Sequence, residues 1–227
     1  MHTPNIKKIK NEIRLFGIPA FFMFKMNELY YSLWFKKMGI FYPDNQSSSL
    51  DINKLSANID RKKNQSSSYY KMKMAFSALG KNYSGLSLLD IGCGDGKVIN
   101  FAMLLNFKNV TGIDLDESAV ERAIKNCSKM KEAGCSIPFD VYCADAAKYI
   151  IPPGTDVIFM FNPFGRQTMQ AVLNNIIHYC DTHKTEVHII YIVPVHRDLF
   201  DDNKRLCNIY QFPRTGKITD IVIYKAS

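Results

Sequence analysis

A mostly parallel, doubly wound α/β sheet preceded by a helical extension is the fold class that this sequence predicts, and three observations carry it. Beyond Gly85, short apolar runs alternate with helically spaced stretches, the grammar of β-α-β units. The first run passes into three glycines at alternate positions, in "LLDIGCGDGKVINFA" at 88–102, before a helical pattern resumes. The last two runs are separated only by "PRTG" at 213–216, long enough for a hairpin and too short for a parallel crossover.

In order, the runs fall at 86–91, 110–114, 139–143, 156–161, 187–193, 206–212 and 218–224, which makes seven strands with the last antiparallel. Upstream the pattern is helical. Ile6, Ile9, Ile13 and Phe16 recur at helical spacing with lysines opposite, and Pro19 interrupts. A second stretch then sets Phe22, Met26, Leu29, Tyr30, Leu33 and Trp34 on one side and ends near Gly39. Residues 42–51 and 59–68 have the Pro, Asp, Asn and Ser of surface loops, and a further helix is expected from 69 to 79. The expected division is a helical extension or cap over 1–80 and a ligand-binding α/β domain over 81–227.

Composition narrows the class. With 227 residues and 47% hydrophobic content, the chain has ample material for one sizeable core. Residues 1–85 hold 14 Lys and Arg against 5 Asp and Glu, a net +9, and the remainder is close to neutral. The basic third therefore suits an anionic partner. The six cysteines form no C-x-x-C pair and have no nearby His at zinc-ligand spacing, so neither a disulfide framework nor a metal site is indicated. They read as reduced thiols of a cytosolic protein. The run "IPAFFMF" at 18–24 is far shorter than the roughly 20 residues that span a bilayer.

Gly92, Gly94 and Gly96 let the backbone turn sharply and let a ligand lie against bare main chain at a helix N-terminus. A dinucleotide fingerprint requires its third glycine at position 97, which is Lys97, so a pyrophosphate ligand is disfavoured. Asp114 closes the next strand, where a carboxylate can accept the two hydroxyls of a ribose. Asp116 and Glu117 read as the first residues of the following helix. Asp145, after the third strand and flanked by small Ala144 and Ala146, stands where a ring amino group can be held. Glycines, then two successive acids, describe a nucleoside without a diphosphate.

These segments, "DIGCGDG" at 90–96, Asp114 in "GIDLDESAVERAIKN" and Asp145, resemble the motifs of class I S-adenosylmethionine-dependent methyltransferases over roughly residues 86–227. The resemblance implies a Rossmann-like sheet of order 3-2-1-4-5-7-6 and S-adenosyl-L-methionine as cofactor. It implies that Asp90 and the backbone of Gly92, Cys93, Gly94 and Gly96 serve the methionine end. Asp114 with Leu115 would serve the ribose, and Asp145 with Ala146 the adenine. "NPF" at 162–164 is similar to the family's N/D-P-P-Y/F motif with one proline missing, which places Asn162, Pro163 and Phe164 beside the transferred methyl group. Asn162 would also touch the cofactor. If the acceptor is a hydroxyl, a general base helps, and His196 after the fifth strand is the best-placed histidine.

In such enzymes the segment before the first strand commonly lids the cofactor; here Tyr69, Tyr70 and the preceding "DRKKNQSSS" are expected either to do so, with Tyr70 or a serine hydroxyl on the methionine carboxylate, or to form a packing helix. The lysine- and aromatic-rich helices upstream suit either a cap on the core or peripheral contact with an anionic membrane, ahead of nucleic acid. The expectation is a cytoplasmic methyltransferase acting on a small-molecule or glycan-linked acceptor. The rivals are an N-methyltransferase of RNA or protein and a cofactor-binding protein without transfer activity.

Overall fold

The computed structural model describes residues 18–42, 67–80, 82–161, 164–212 and 220–227. Helices α1 (Ile18–Lys37) and α2 (Tyr69–Ala78) lead into β1 (Ser87–Ile91), α3 (Lys97–Leu104), β2 (Asn109–Asp114), α4 (Glu117–Glu132) and β3 (Phe139–Cys143). There follow β4 (Val157–Phe161), α5 (Arg166–His183), β5 (Val187–Ile192), α6 (Arg197–Asp201), β6 (Leu206–Phe212) and β7 (Ile221–Ala226). The seven strands pair in the order β3-β2-β1-β4-β5-β7-β6. The first five run parallel, and β7 runs antiparallel to both β5 and β6. The hairpin residues 213–216 lie outside the described residues, as does the start of the seventh expected run, and β7 itself reaches Ala226.

Burial explains the strand sequences. Central β1 is buried at every position, so "SLLDI" carries no polar alternation, as both faces are covered by helices. The border strands β3 and β6 have one open edge and read as mixed polar and apolar. One core forms beneath α2, α3 and α4, and the other beneath α5 and α6. The first is built on aromatic rings: Phe76 lies 5.4 Å from Phe107, 5.7 Å from Phe159, 6.2 Å from Phe101 and 6.3 Å from Tyr83 between centroids. The same core takes in Phe35 and Ile40 from the α1 segment together with Tyr69 and Met72 of α2, so the extension and the sheet share one interior.

Helix α1 packs on the core mainly through the face opposite the expected stripe, of which Trp34 alone packs inward. Tyr31 meets Phe101 edge-on at 5.0 Å, and Phe35 stacks on Tyr69 at 5.6 Å. Phe22, Met26, Leu29, Tyr30 and Leu33 point outward, each at least 50% exposed. The helix is apolar on both sides, so periodicity alone does not choose the inner one. The earlier helical pattern at 5–16 lies outside the described residues.

Truncating Phe76 to Ala removes a fully buried ring with four aromatic neighbours; unfolding in urea should show a loss of about 3–5 kcal/mol.

Candidate functional site

Strand order reverses between β1 and β4, the place in an open α/β sheet where a crevice forms beyond the carboxyl ends of the strands. The glycine loop sits at that edge. Gly92, Gly94 and Gly96 all have left-handed backbone, with φ of 81°, 51° and 79°. They serve different ends. A Cβ on Gly96 would come within 3.0 Å of the Cβ of Ala123, so this glycine lets α3 and α4 approach. A Cβ on Gly94 would meet nothing within 4 Å, so its bare face opens on free space.

The N–H groups of Gly92 and Cys93 both donate to the carbonyl of Ile113 at the end of β2, at 2.8 and 2.9 Å. That of Gly94 donates to Asp114 Oδ2 at 2.9 Å, and that of Gly96 to Cys93 O at 3.0 Å. The loop therefore offers a ligand bare backbone at Gly94 rather than these four donors. The Cys93 side chain is buried, and desolvation, reinforced by Asp90 and Asp114, pushes its thiol well above the usual range, which favours the protonated form.

Asp90, the fourth residue of β1, is 2% exposed, and its Oδ2 is buried with no hydrogen-bond partner. Burial, and then the charge of Asp114, raise its pKa well above the carboxylate range. An orphaned carboxylate oxygen at the end of a central strand is the feature that a cationic or donor group of a ligand would satisfy. Asp114 is buried too; its Oδ1 accepts the N–H of Asp116 at 2.9 Å while Oδ2 holds Gly94. Asp116 is the N-cap of α4 and accepts the Ser118 N–H, as its place before a helix predicts. Leu115 is half-buried, and its carbonyl accepts from the Cys143 thiol at 3.6 Å. Asp145 is half-exposed beside buried Ala146; its Oδ1 accepts the Ala147 N–H at 3.0 Å. Ala144 donates to Asp114 O at 2.9 Å, so the two acid-bearing turns are stitched together.

Asn162 and Pro163 lie outside the described residues. Phe164, directly after them, packs on the second core. His196 is the N-cap residue of α6, and its backbone N–H donates to the Tyr191 hydroxyl at 3.3 Å. Tyr70 meets Phe24 edge-on and lines, with Met23, Asn27, Lys73 and Tyr210, a groove between α1, α2 and β6. Its neighbour Tyr69 is the tyrosine that reaches the glycine-loop helix: the Lys97 ammonium lies 4.0 Å from its ring centroid.

Two asparagines and an arginine, not singled out from the sequence, support the site. Asn126 donates from Nδ2 to Asp95 O at 3.0 Å and to Phe41 O at 3.3 Å, which joins the loop to the segment after α1. Arg122 holds Asp95 at 2.9 Å and Ser118 at 3.1 Å. Asn100, fully buried in α3, donates to the Tyr42 hydroxyl at 2.6 Å. The available signal was a polar residue on a helix face that is otherwise apolar.

The family described as "Methyltransferase domain" matches residues 88–182. An uncharacterised protein of Methanocaldococcus jannaschii is 31% identical over 70 residues, which are 31% of this chain and 29% of that protein, so the match spans under a third of that relative. Magnesium protoporphyrin IX methyltransferase of Synechocystis, solved with bound S-adenosylmethionine, superposes with a TM-score of 0.51 at 16% identity over 69% of this chain and 78% of its own. A TehB-like S-adenosylmethionine-dependent methyltransferase of Corynebacterium glutamicum gives 0.51 at 17% identity over 69% and 87%. A Pyrococcus horikoshii structure described as a candidate RNA methyltransferase gives 0.51 at 22% over 70% and 80%. At these identities the structures share the fold.

Because folded Asp90 retains a proton that the unfolded chain releases, stability of the ligand-free protein falls as pH rises from about 4 toward the raised pKa. Asp90→Asn should flatten that slope. Thermal melts of ligand-free protein should place the variant above the parent at neutral pH, with the difference closing toward pH of about 4.

Proposed function

We propose that this chain, whose residues 88–182 match the methyltransferase-domain family, moves a methyl group from S-adenosylmethionine to a small-molecule or glycan-linked acceptor. The observation that carries the reading is the buried, unpartnered Oδ2 of Asp90 beside the open backbone of Gly94. The cofactor supplies an already activated methyl group, so alignment and exclusion of water are what remain for the protein. Asp90 and the Gly94 backbone would take the methionine end. Asp114, with Leu115, would take the ribose hydroxyls while keeping the loop in place. Asp145 and the small face of Ala146 would take the adenine.

On the acceptor side, Asn162 would hold the nucleophile and Phe164 would wall the site. His196 would accept a proton if the acceptor is a hydroxyl. The charge around the edge supports a small or neutral acceptor. Asp90, Asp95, Asp114, Asp116 and Asp145 gather there, and residues 86–227 hold 15 Lys and Arg against 16 Asp and Glu, a poor match to a phosphate backbone. The rival, N-methylation of RNA or protein, draws support from Asn162-Pro163-Phe164 and from the net +9 of residues 1–85.

Calorimetry should detect both S-adenosylmethionine and its demethylated product. Asp114→Ala, which removes the acceptor of the Gly94 N–H as well as a ribose partner, should weaken both by about 1.5–3 kcal/mol. Unchanged affinity would overturn the assignment.

Asn162→Ala should reduce turnover well beyond its effect on cofactor affinity. Turnover with a panel of amine and hydroxyl acceptors, glycan-linked compounds, RNA and protein separates the acceptor classes, and binding without turnover on any of them identifies a binder.

A further inference from the structure

We infer that the outward face of α1 is a docking surface for an anionic lipid bilayer. Met26, Leu29, Tyr30 and Leu33 lie on it, between 50% and 64% exposed, and Met23 extends it toward the N-terminal end. At 100° per residue these side chains fall within about one third of the helix circumference, a continuous apolar strip. The helix is not free to turn that strip inward. Its other face is fixed by Phe35 on Tyr69, by Tyr31 on Phe101, and by the Tyr70 N–H that donates to the Glu28 carboxylate at 3.1 Å. Lys129 closes the end of the segment by donating to the carbonyl of Gly39.

Charge selects the occupant. Glu28 is the sole acid of α1, and it faces inward, whereas Lys25, Lys36 and Lys37 are exposed along one border and the last turn. An apolar strip edged by lysines, with no carboxylate on the outer side, matches acyl chains beneath anionic headgroups, with the lysine stems reaching to the phosphate level. The net +9 of residues 1–85 adds attraction at longer range. No helix among the described residues is long and apolar enough to cross a membrane, so the contact is an in-plane one.

A second copy fits less well. Pairing two such faces sets lysine against lysine with no acid to answer it. A strip about 30 Å long and about 10 Å wide also falls well short of the roughly 800 Å² per partner of a stable interface.

The test is flotation of the full chain with vesicles. Phosphatidylcholine vesicles containing phosphatidylglycerol should carry the protein, phosphatidylcholine alone should carry little, and high salt should release it. Leu29→Asp with Leu33→Asp should cut the bound fraction about tenfold or more while the melting curve and cofactor affinity stay as in the parent. A parent chain that stays out of anionic vesicles overturns the inference. So does a double variant that floats as well as the parent, or one that splits a dimer seen by light scattering without lipid.

Discussion

One carboxylate receives two backbone N–H groups from opposite sides of the site: Asp114 takes Gly94 on one oxygen and Asp116 on the other, both at 2.9 Å. Charge-assisted bonds of this kind are short and strong, and here they join the glycine loop after β1 to the turn that begins α4. With Ile113 O taking two further loop N–H groups, the loop has no freedom to relax onto Asp90. The orphaned oxygen of Asp90 and the bare face of Gly94 are both consequences, and so is the unfavourable proximity of two buried acids that raises Asp90.

Much of the architecture could be read from the residues because burial on both faces writes itself into sequence. A parallel strand covered by helices on each side needs an unbroken apolar run, and each of the seven runs became a strand. The four-residue gap before the last run constrained direction by chain length alone, and β7 is antiparallel. Helix α1 resisted the same treatment. Its amphipathic signal is degraded by apolar residues on the inner face as well, and the packed side was decided by ring partners on α2 and α3 that lie far along the chain.

The site was readable as a region more than as a set of contacts. The three glycines look alike in sequence, yet Gly94 faces open space and Gly96 answers to Ala123. Gly112, within β2, is a further case that the pattern gave no reason to notice: a Cβ there would run into Ile99 and Cys93. Tyr69 and Tyr70 are adjacent letters, and only the helical turn between them sends one to Lys97 and the other to the groove beside Tyr210. Arg122, Asn126 and Asn100 act on partners 27 to 85 residues away, and no local pattern encodes such a reach.

The amide of Asn126 has a consequence for what counts as a unit of this protein. One NH2 group spans the carbonyl of Phe41, just past α1, and that of Asp95, inside the glycine loop. The sheet half is therefore not a module to be excised and grafted. Cutting the chain ahead of β1 would strip Tyr31 and Tyr69 from the ring of Phe101 and leave the amide short of an acceptor at the loop's back. Helix and loop form one structural unit, and a change of residue on either side of that bridge is answerable to the other.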